Sequence, residues 1–257
     1  MNSPVYLEEA TRTPLANLRD LSGVPLARGS IIPGMLWRSD DISLSPETQV
    51  RSLAQAGLST IIDLRSADEL KKSVSPFLSA LGIEHRHVPV LSDVSDPESL
   101  GDSLANIDSA QAVGTWYAQT FSNRAGTFVT ALDIIANSTG ATLFHCAAGK
   151  DRTGMLAAAI FTVLGASRDD IVADYAHTDT NIAAVMGRLA VAAKASENEN
   201  NHQVFEPDHP LLRAQAPTME SMIDALEPAG GIREILREAG LGQELEVRLR
   251  NKLVVGG

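Results

Sequence analysis

The only cysteine of this 257-residue chain lies in His145-Cys146-Ala147-Ala148-Gly149-Lys150-Asp151-Arg152-Thr153-Gly154, six positions before an arginine. A thiol among backbone N–H groups, a lysine and an arginine is favoured as the thiolate, the form that attacks electrophiles. Arg152 offers a planar fork that matches two oxygens of a phosphate-like anion, and Lys150 adds a point charge. Gly149 is expected to remove a side chain where backbone must approach a ligand, and to adopt an unusual φ. Thr153 is placed to donate its hydroxyl to the cysteine sulfur. Nucleophile, anion cradle and guanidinium clamp share one short stretch.

Two elements must hold that stretch. Ala141-Thr142-Leu143-Phe144 before it is β-prone, and Met155 to Leu164 after it is apolar on every face, as a buried helix would be. Strand, tight loop and helix in that order aim consecutive N–H groups and a positive helix end at one spot. A buried structural cysteine at a strand end would account for Cys146 but not for Gly149, Lys150, Arg152 and Thr153 together.

Apolar residues make up 44% of the chain and charged residues 21%, enough to bury a core. A net charge of −11 argues against a general nucleic-acid binder or a surface for anionic lipid, and makes any phosphate site a local positive island. A single cysteine rules out an internal disulfide framework. The first twenty residues lack the apolar core of a secretory signal, and no stretch approaches the roughly 20 apolar residues of a membrane span. A cytoplasmic protein with no integral membrane segment is expected, with export without a signal left open.

Strands are predicted near 35–40, 59–65, 83–90 and 141–144, and helices near 46–56, 67–72, 110–121, 124–136, 155–164, 168–175 and 180–194, with short helices at 218–226, 232–239 and 243–253. Ser45-Pro46-Glu47 reads as an N-cap with proline in the first turn. The polar stretch 91–109 is expected to be a mobile loop of the kind that covers active sites. The alternation implies an α/β fold with a central, mostly parallel sheet flanked by helices, the loop at a strand's carboxyl end, and an extra C-terminal helical lobe over about 178–257.

The run HCAAGKDRTG resembles the Cys-x5-Arg-Thr signature loop of the protein-tyrosine phosphatase superfamily. Its filling is closer to a microbial tyrosine/phosphoinositide phosphatase family typified by mycobacterial protein-tyrosine phosphatase B. Asn17-Leu18-Arg19-Asp20, Trp37-Arg38-Ser39-Asp40, Ile62-Asp63-Leu64-Arg65-Ser66 and the Gly-Ile-Arg-Glu-Ile-Leu-Arg-Glu-Ala-Gly tail are also similar to that family, so the resemblance spans most of the chain. It implies a single phosphatase domain over 1–257 with its signature loop at 145–154. It implies a phosphotyrosine phosphatase-like fold and a metal-independent phosphomonoesterase that passes through a phosphocysteine and needs no cofactor.

Cys146 would be the nucleophile, residues Ala147, Ala148, Gly149, Lys150, Asp151 and Arg152 the phosphate cradle, and His145 a support that tunes the cysteine. Asp151 is the first choice of general acid, with a role in orienting Arg152 or other loop groups as its alternative. Asp93 is the second candidate acid, because many relatives bring that acid from a separate loop and the Trp-Pro-Asp loop of eukaryotic members is missing here. Arg19, Asp20, Arg38, Asp63 and Arg65 would either hold the loop by ion pairs or be ordinary loop and strand-end charges. Lys150 suggests phosphoinositides alongside phosphotyrosine proteins as substrates.

Other readings are weaker. A nucleotide-binding loop at Gly149-Lys150 fails because Asp151 stands where Ser or Thr is needed. His85 and His87 share a strand face without a matching Cys or Glu cluster, so a structural role is expected and not a metal site. Arg233, Arg237, Arg248 and Arg250 alternate with glutamates and form a solvated face, not a nucleic-acid patch. A catalytically weak phosphate-binding module and a sulfurtransferase or arsenate reductase remain as rivals; the last usually needs further thiols that this chain lacks.

Overall fold

The computed structural model describes residues 9–73, 75–91, 107–195 and 209–256. In chain order the strands are β1 (Arg19–Asp20), β2 (Ser30–Ile31), β3 (Leu36–Ser39), β4 (Leu58–Asp63), β5 (Glu84–His87), β6 (Ala141–His145) and β7 (Val254–Val255). Five of them form one sheet in the order β1-β3-β6-β4-β5, with β1 antiparallel to β3 and the other pairings parallel. The chain lays down β3, β4 and β5 first and inserts β6 last, between β3 and β4. That insertion places the carboxyl end of β6, where Cys146 follows, between two flanking strand ends, the usual ligand position in such sheets.

Each face of the sheet is covered, as parallel strands require. Successive side chains point to opposite faces. On one face Ile61 and Leu143 pack with Val50 and Leu53 of α1 (Glu47–Gln55) and with Leu78 and Ile83. On the other, Ile62 and Phe144 meet the larger core, which includes α3 (Ala110–Asn123), α4 (Ala125–Asn137) and α5 (Asp151–Leu164). Between β4 and β5 lies α2 (Ala67–Lys72).

Helix α5 is buried from Arg152 to Phe161, so its carbonyl end cannot rely on water. Gly165 ends it at φ 87°, Arg233 donates to Thr162 and Val163 carbonyls, and Arg250 donates to that of Leu164. These arginines cap the central helix as well as forming the tail's charged face.

The C-terminal helical part comprises α6 (Arg168–His177), α7 (Ile182–Ala195), α8 (Ala216–Leu226), α9 (Gly231–Glu238) and α10 (Gln243–Leu253). Its apolar residues Met219, Met222, Leu236, Leu249 and Leu253 join the main core. Helix α8 crosses α3 so closely that a Cβ on Gly114 would lie 2.4 Å from the Thr218 carbonyl oxygen. Strand β7 then pairs with β2 and ties the tail to the front of the chain. No described helix is long and apolar enough to cross a membrane.

Two local expectations change. Pro46 itself occupies the N-cap of α1, without a side-chain hydrogen bond, and Ser45 ends the preceding turn. Helix α5 starts at Asp151, not near Met155, so Arg152 and Thr153 belong to its first turn.

Candidate active site

The sequence-predicted loop sits where the strand order places it. Ser39 and Asp63 both pair in register with His145. Past the strand ends, Asp41 N–H donates to the Ala147 carbonyl at 3.0 Å and Leu64 N–H to that of His145 at 2.9 Å. Cys146 is buried between these arms, while Ala147 and Ala148 are partly exposed.

Gly149 has φ +66°, and a Cβ there would lie 2.4 Å from the Ser39 carbonyl oxygen. The close approach that demands glycine is therefore to the backbone of β3, whereas a ligand was expected there. The Gly149 carbonyl accepts from Arg38 Nη2 at 2.8 Å and from Asn17 Nδ2 at 3.0 Å.

Ion pairs brace this frame from below. Arg38, fully buried, meets Asp174 at 2.5 Å, and Arg19 Nε meets the same carboxylate at 3.0 Å. Burial pushes the Asp174 carboxyl up, but Arg38 and Arg19 outweigh it and hold it below its ordinary value. On the far side Arg65 bridges Asp63 at 2.7 Å and Asp41 at 2.5 Å. Four of the five front-motif charges thus support the loop. Asp20 does not: its carboxylate accepts from Ser22 N–H and Gly34 N–H and caps an exposed turn.

Arg152 lies in the first turn of α5, where Glu69 grips its fork: Nη1 to Oε2 at 2.5 Å and Nη2 to Oε1 at 2.9 Å. Glu69 is itself fixed by a capping box, in which Ser66 N–H donates to Oε2 and Glu69 N–H to Ser66 Oγ. Burial raises the Glu69 carboxyl, yet Arg152 overrides it and keeps it ionised below its usual range. Burial works against the Arg152 charge too, and Glu69 together with Cys146 more than restores it.

Asp151 Oδ1 accepts from Lys150 Nζ at 2.7 Å and from the Tyr117 hydroxyl. Burial would lift this carboxyl, but the Lys150 charge and the bonds from Lys150 and Tyr117 hold it below the usual value. Lys150 is buried, also donates to the Arg213 carbonyl at 3.2 Å, and has its charge favoured by Asp151 against the cost of burial. Arg213 is anchored on Asp179 at 2.6 Å.

His145 is fully buried, with Nδ1 3.1 Å from the Cys146 carbonyl and Nε2 3.8 Å from Asp63. Burial depresses its pKa and favours the neutral ring. Thr153 Oγ1 is buried without a hydrogen-bond partner, so the expected bond to sulfur is not made. His85 faces Asp63 at 3.3 Å and His87 the Arg65 carbonyl at 2.8 Å. No cluster of three or more His, Cys, Asp or Glu suited to a metal occurs among the described residues. Asp93 and nearly all of the expected loop 91–109 lie outside the described residues.

Sequence reasoning missed Glu69, Tyr117, Asn17 as a side-chain donor, and Asp174. The Ser66-x-x-Glu69 spacing does signal a capping box, but nothing local shows that the same carboxylate reaches Arg152, 83 residues on. Tyr117 is one apolar-face residue of a helix and carries no signal.

A buried thiol with Arg152 and Lys150 in electrostatic reach, a carboxylate beside them and a helix start below are the kinds of group that suit a phosphate-like dianion. The family model described as the tyrosine phosphatase family matches residues 12–255. A protein of Cupriavidus necator named among the tyrosine-protein phosphatases is 30% identical over 243 residues, covering 88% of this chain and 81% of the relative. The triple specificity protein phosphatase of Mycobacterium tuberculosis is 26% identical over 270 residues, covering 93% of this chain and 96% of the relative. With a match that runs nearly end to end, the chain belongs to the tyrosine phosphatase family and is a phosphatase.

Proposed function

We propose that the chain, as a single phosphatase domain, hydrolyses phosphotyrosine in proteins, and phosphoinositides, through a phosphocysteine and without a metal. The observation that carries this is the coupling of buried Cys146 to Arg152, whose fork Glu69 holds ready at the start of α5. In the first step the Cys146 thiolate attacks phosphorus and the P–O bond to the leaving group breaks. Asp151 gives its proton to the departing oxygen. Arg152 and the N–H groups of residues 147–152 hold the three remaining phosphoryl oxygens while charge builds on them. In the second step Asp151 takes a proton from water, the water oxygen bonds to phosphorus, and the S–P bond breaks to release inorganic phosphate.

Asp151 must be protonated to begin, although Lys150 holds it ionised in the free site. The incoming dianion supplies the change. It attracts Lys150 and repels the carboxylate, and both effects favour the protonated acid. Lys150 has a third N–H donor beyond those to Asp151 and the Arg213 carbonyl, and a second phosphate of a polyanionic lipid head would accept it, which is the support for the phosphoinositide arm.

The test is phosphate release from phosphotyrosine peptides and a phosphoinositide panel with EDTA present. Cys146→Ser is expected to abolish turnover and Asp151→Asn to reduce it. Turnover that survives Cys146→Ser would overturn the covalent route. Phosphate binding without turnover of any substrate would leave only the binding-module alternative.

A further inference from the structure

Beneath Asp151 lies a hydrogen-bonded chain that the proposed reaction does not by itself use. Tyr117 and Tyr175 are buried, with rings edge to face at 6.0 Å between centroids and hydroxyls 2.9 Å apart. Tyr117 donates its single hydroxyl proton to Asp151 Oδ1, so between the tyrosines it accepts and Tyr175 donates. Lys150 donates to the same Oδ1. A carboxylate oxygen has two lone pairs, and here two donors fill both.

We infer that Tyr117 is a positioning residue for Asp151: with Lys150 it occupies Oδ1 and leaves Oδ2 as the oxygen that carries the transferable proton. This rests on the reading of Asp151 as the general acid. The groups that face the carboxyl are Lys150 in the loop, Arg152 on the same helix and Tyr117 from α3, with Tyr175 of α6 behind Tyr117. Of these, Tyr117 alone is an uncharged side chain that touches the acid, so it can be changed without altering the charge that binds phosphate. Fixing one oxygen keeps the proton on the side that faces away from the tyrosines. Loss of the Tyr117 hydroxyl lets the proton settle on either oxygen and weakens the ionised form.

The experiment compares kcat/KM for phenyl phosphate, whose leaving oxygen needs a proton, and 2,4-dinitrophenyl phosphate, whose leaving oxygen does not. Wild type, Tyr117→Phe, Tyr175→Phe and Asp151→Asn are measured across pH. Tyr117→Phe is expected to depress the phenyl-to-dinitrophenyl ratio about tenfold, the scale of one hydrogen bond to a charged group. It is also expected to move the basic limb of kcat/KM upward, with Tyr175→Phe doing the same more weakly.

An unchanged ratio and limb in Tyr117→Phe, while Asp151→Asn lowers the ratio, would overturn the inference and leave the acid in place. An unchanged ratio in Asp151→Asn would remove the general-acid reading and this inference with it. Should Tyr117→Phe not fold, 3-fluorotyrosine at position 117 keeps the shape and donates more strongly. It must then shift the basic limb downward, and a fixed limb would overturn the inference.

Discussion

Replacing Glu69 by glutamine separates the aiming of Arg152 from the architecture around it. Glu69 Oε2 accepts from both Ser66 N–H and Arg152 Nη1, and Oε1 accepts from Arg152 Nη2. Glutamine has one carbonyl oxygen. Placed at the Oε2 position it preserves the capping box and one bond to Arg152, and turns its NH2 toward Nη2, donor against donor. One charge-assisted bond is lost, worth about 1.5–3 kcal/mol. Arg152 then samples rotamers that do not face the phosphoryl oxygens. If the whole loss falls on the transition state, kcat/KM drops by about 10- to 100-fold at ~1.4 kcal/mol per decade. The assay is kcat/KM on a phosphotyrosine peptide with a thermal melt alongside, which should change little because the cap survives. A kcat/KM within twofold of wild type would refute the claim that Glu69 aims Arg152. A rise would mean that Glu69 competes with substrate for the guanidinium.

Further outcomes follow from the same contacts. Gly149→Ala puts a methyl into the Ser39 carbonyl at φ +66°, so the loop must lift from β3; activity should be lost and the melting temperature should fall. Asp174→Asn leaves Arg38 and Arg19 without their buried counter-charge, at a cost of about 3–5 kcal/mol read in a denaturant titration. Unchanged stability would show that the pair is not what supports the loop. Stability should also fall with acid in two stages. His145 has a depressed pKa, so the unfolded chain binds its proton first and stability is lost as pH drops below about 6.5. Glu69 and Asp174 are depressed as well, so their contribution is full above the unfolded values and is lost below about 4. Melting temperature against pH checks both, and His145→Gln should remove the first stage alone.

What could be read in the sequence was local in the chain. The strand, loop and helix around Cys146 are contiguous, and period-two and period-3.6 burial with glycine and proline punctuation marks most other elements. The α/β class follows from their alternation. The Cys-x5-Arg spacing carried the proposed chemistry because one short stretch holds the candidate nucleophile, cradle and clamp. Tertiary structure decided the rest, since contacts across a parallel sheet join residues that no spacing relates. Inserting β6 between β3 and β4 is what brings Asp41 and Leu64 to either side of Cys146. Two-residue strands such as β2 and β7 show no periodicity and form only because the tail helices carry β7 there. Gly149 was legible as special, but the carbonyl that excludes a side chain belongs to Ser39, 110 positions earlier. Glu69 and Tyr117 became visible as partners of Arg152 and Asp151 only once α2 and α3 had packed beside α5, because an ion pair or hydrogen bond needs distance and direction, which folding alone supplies.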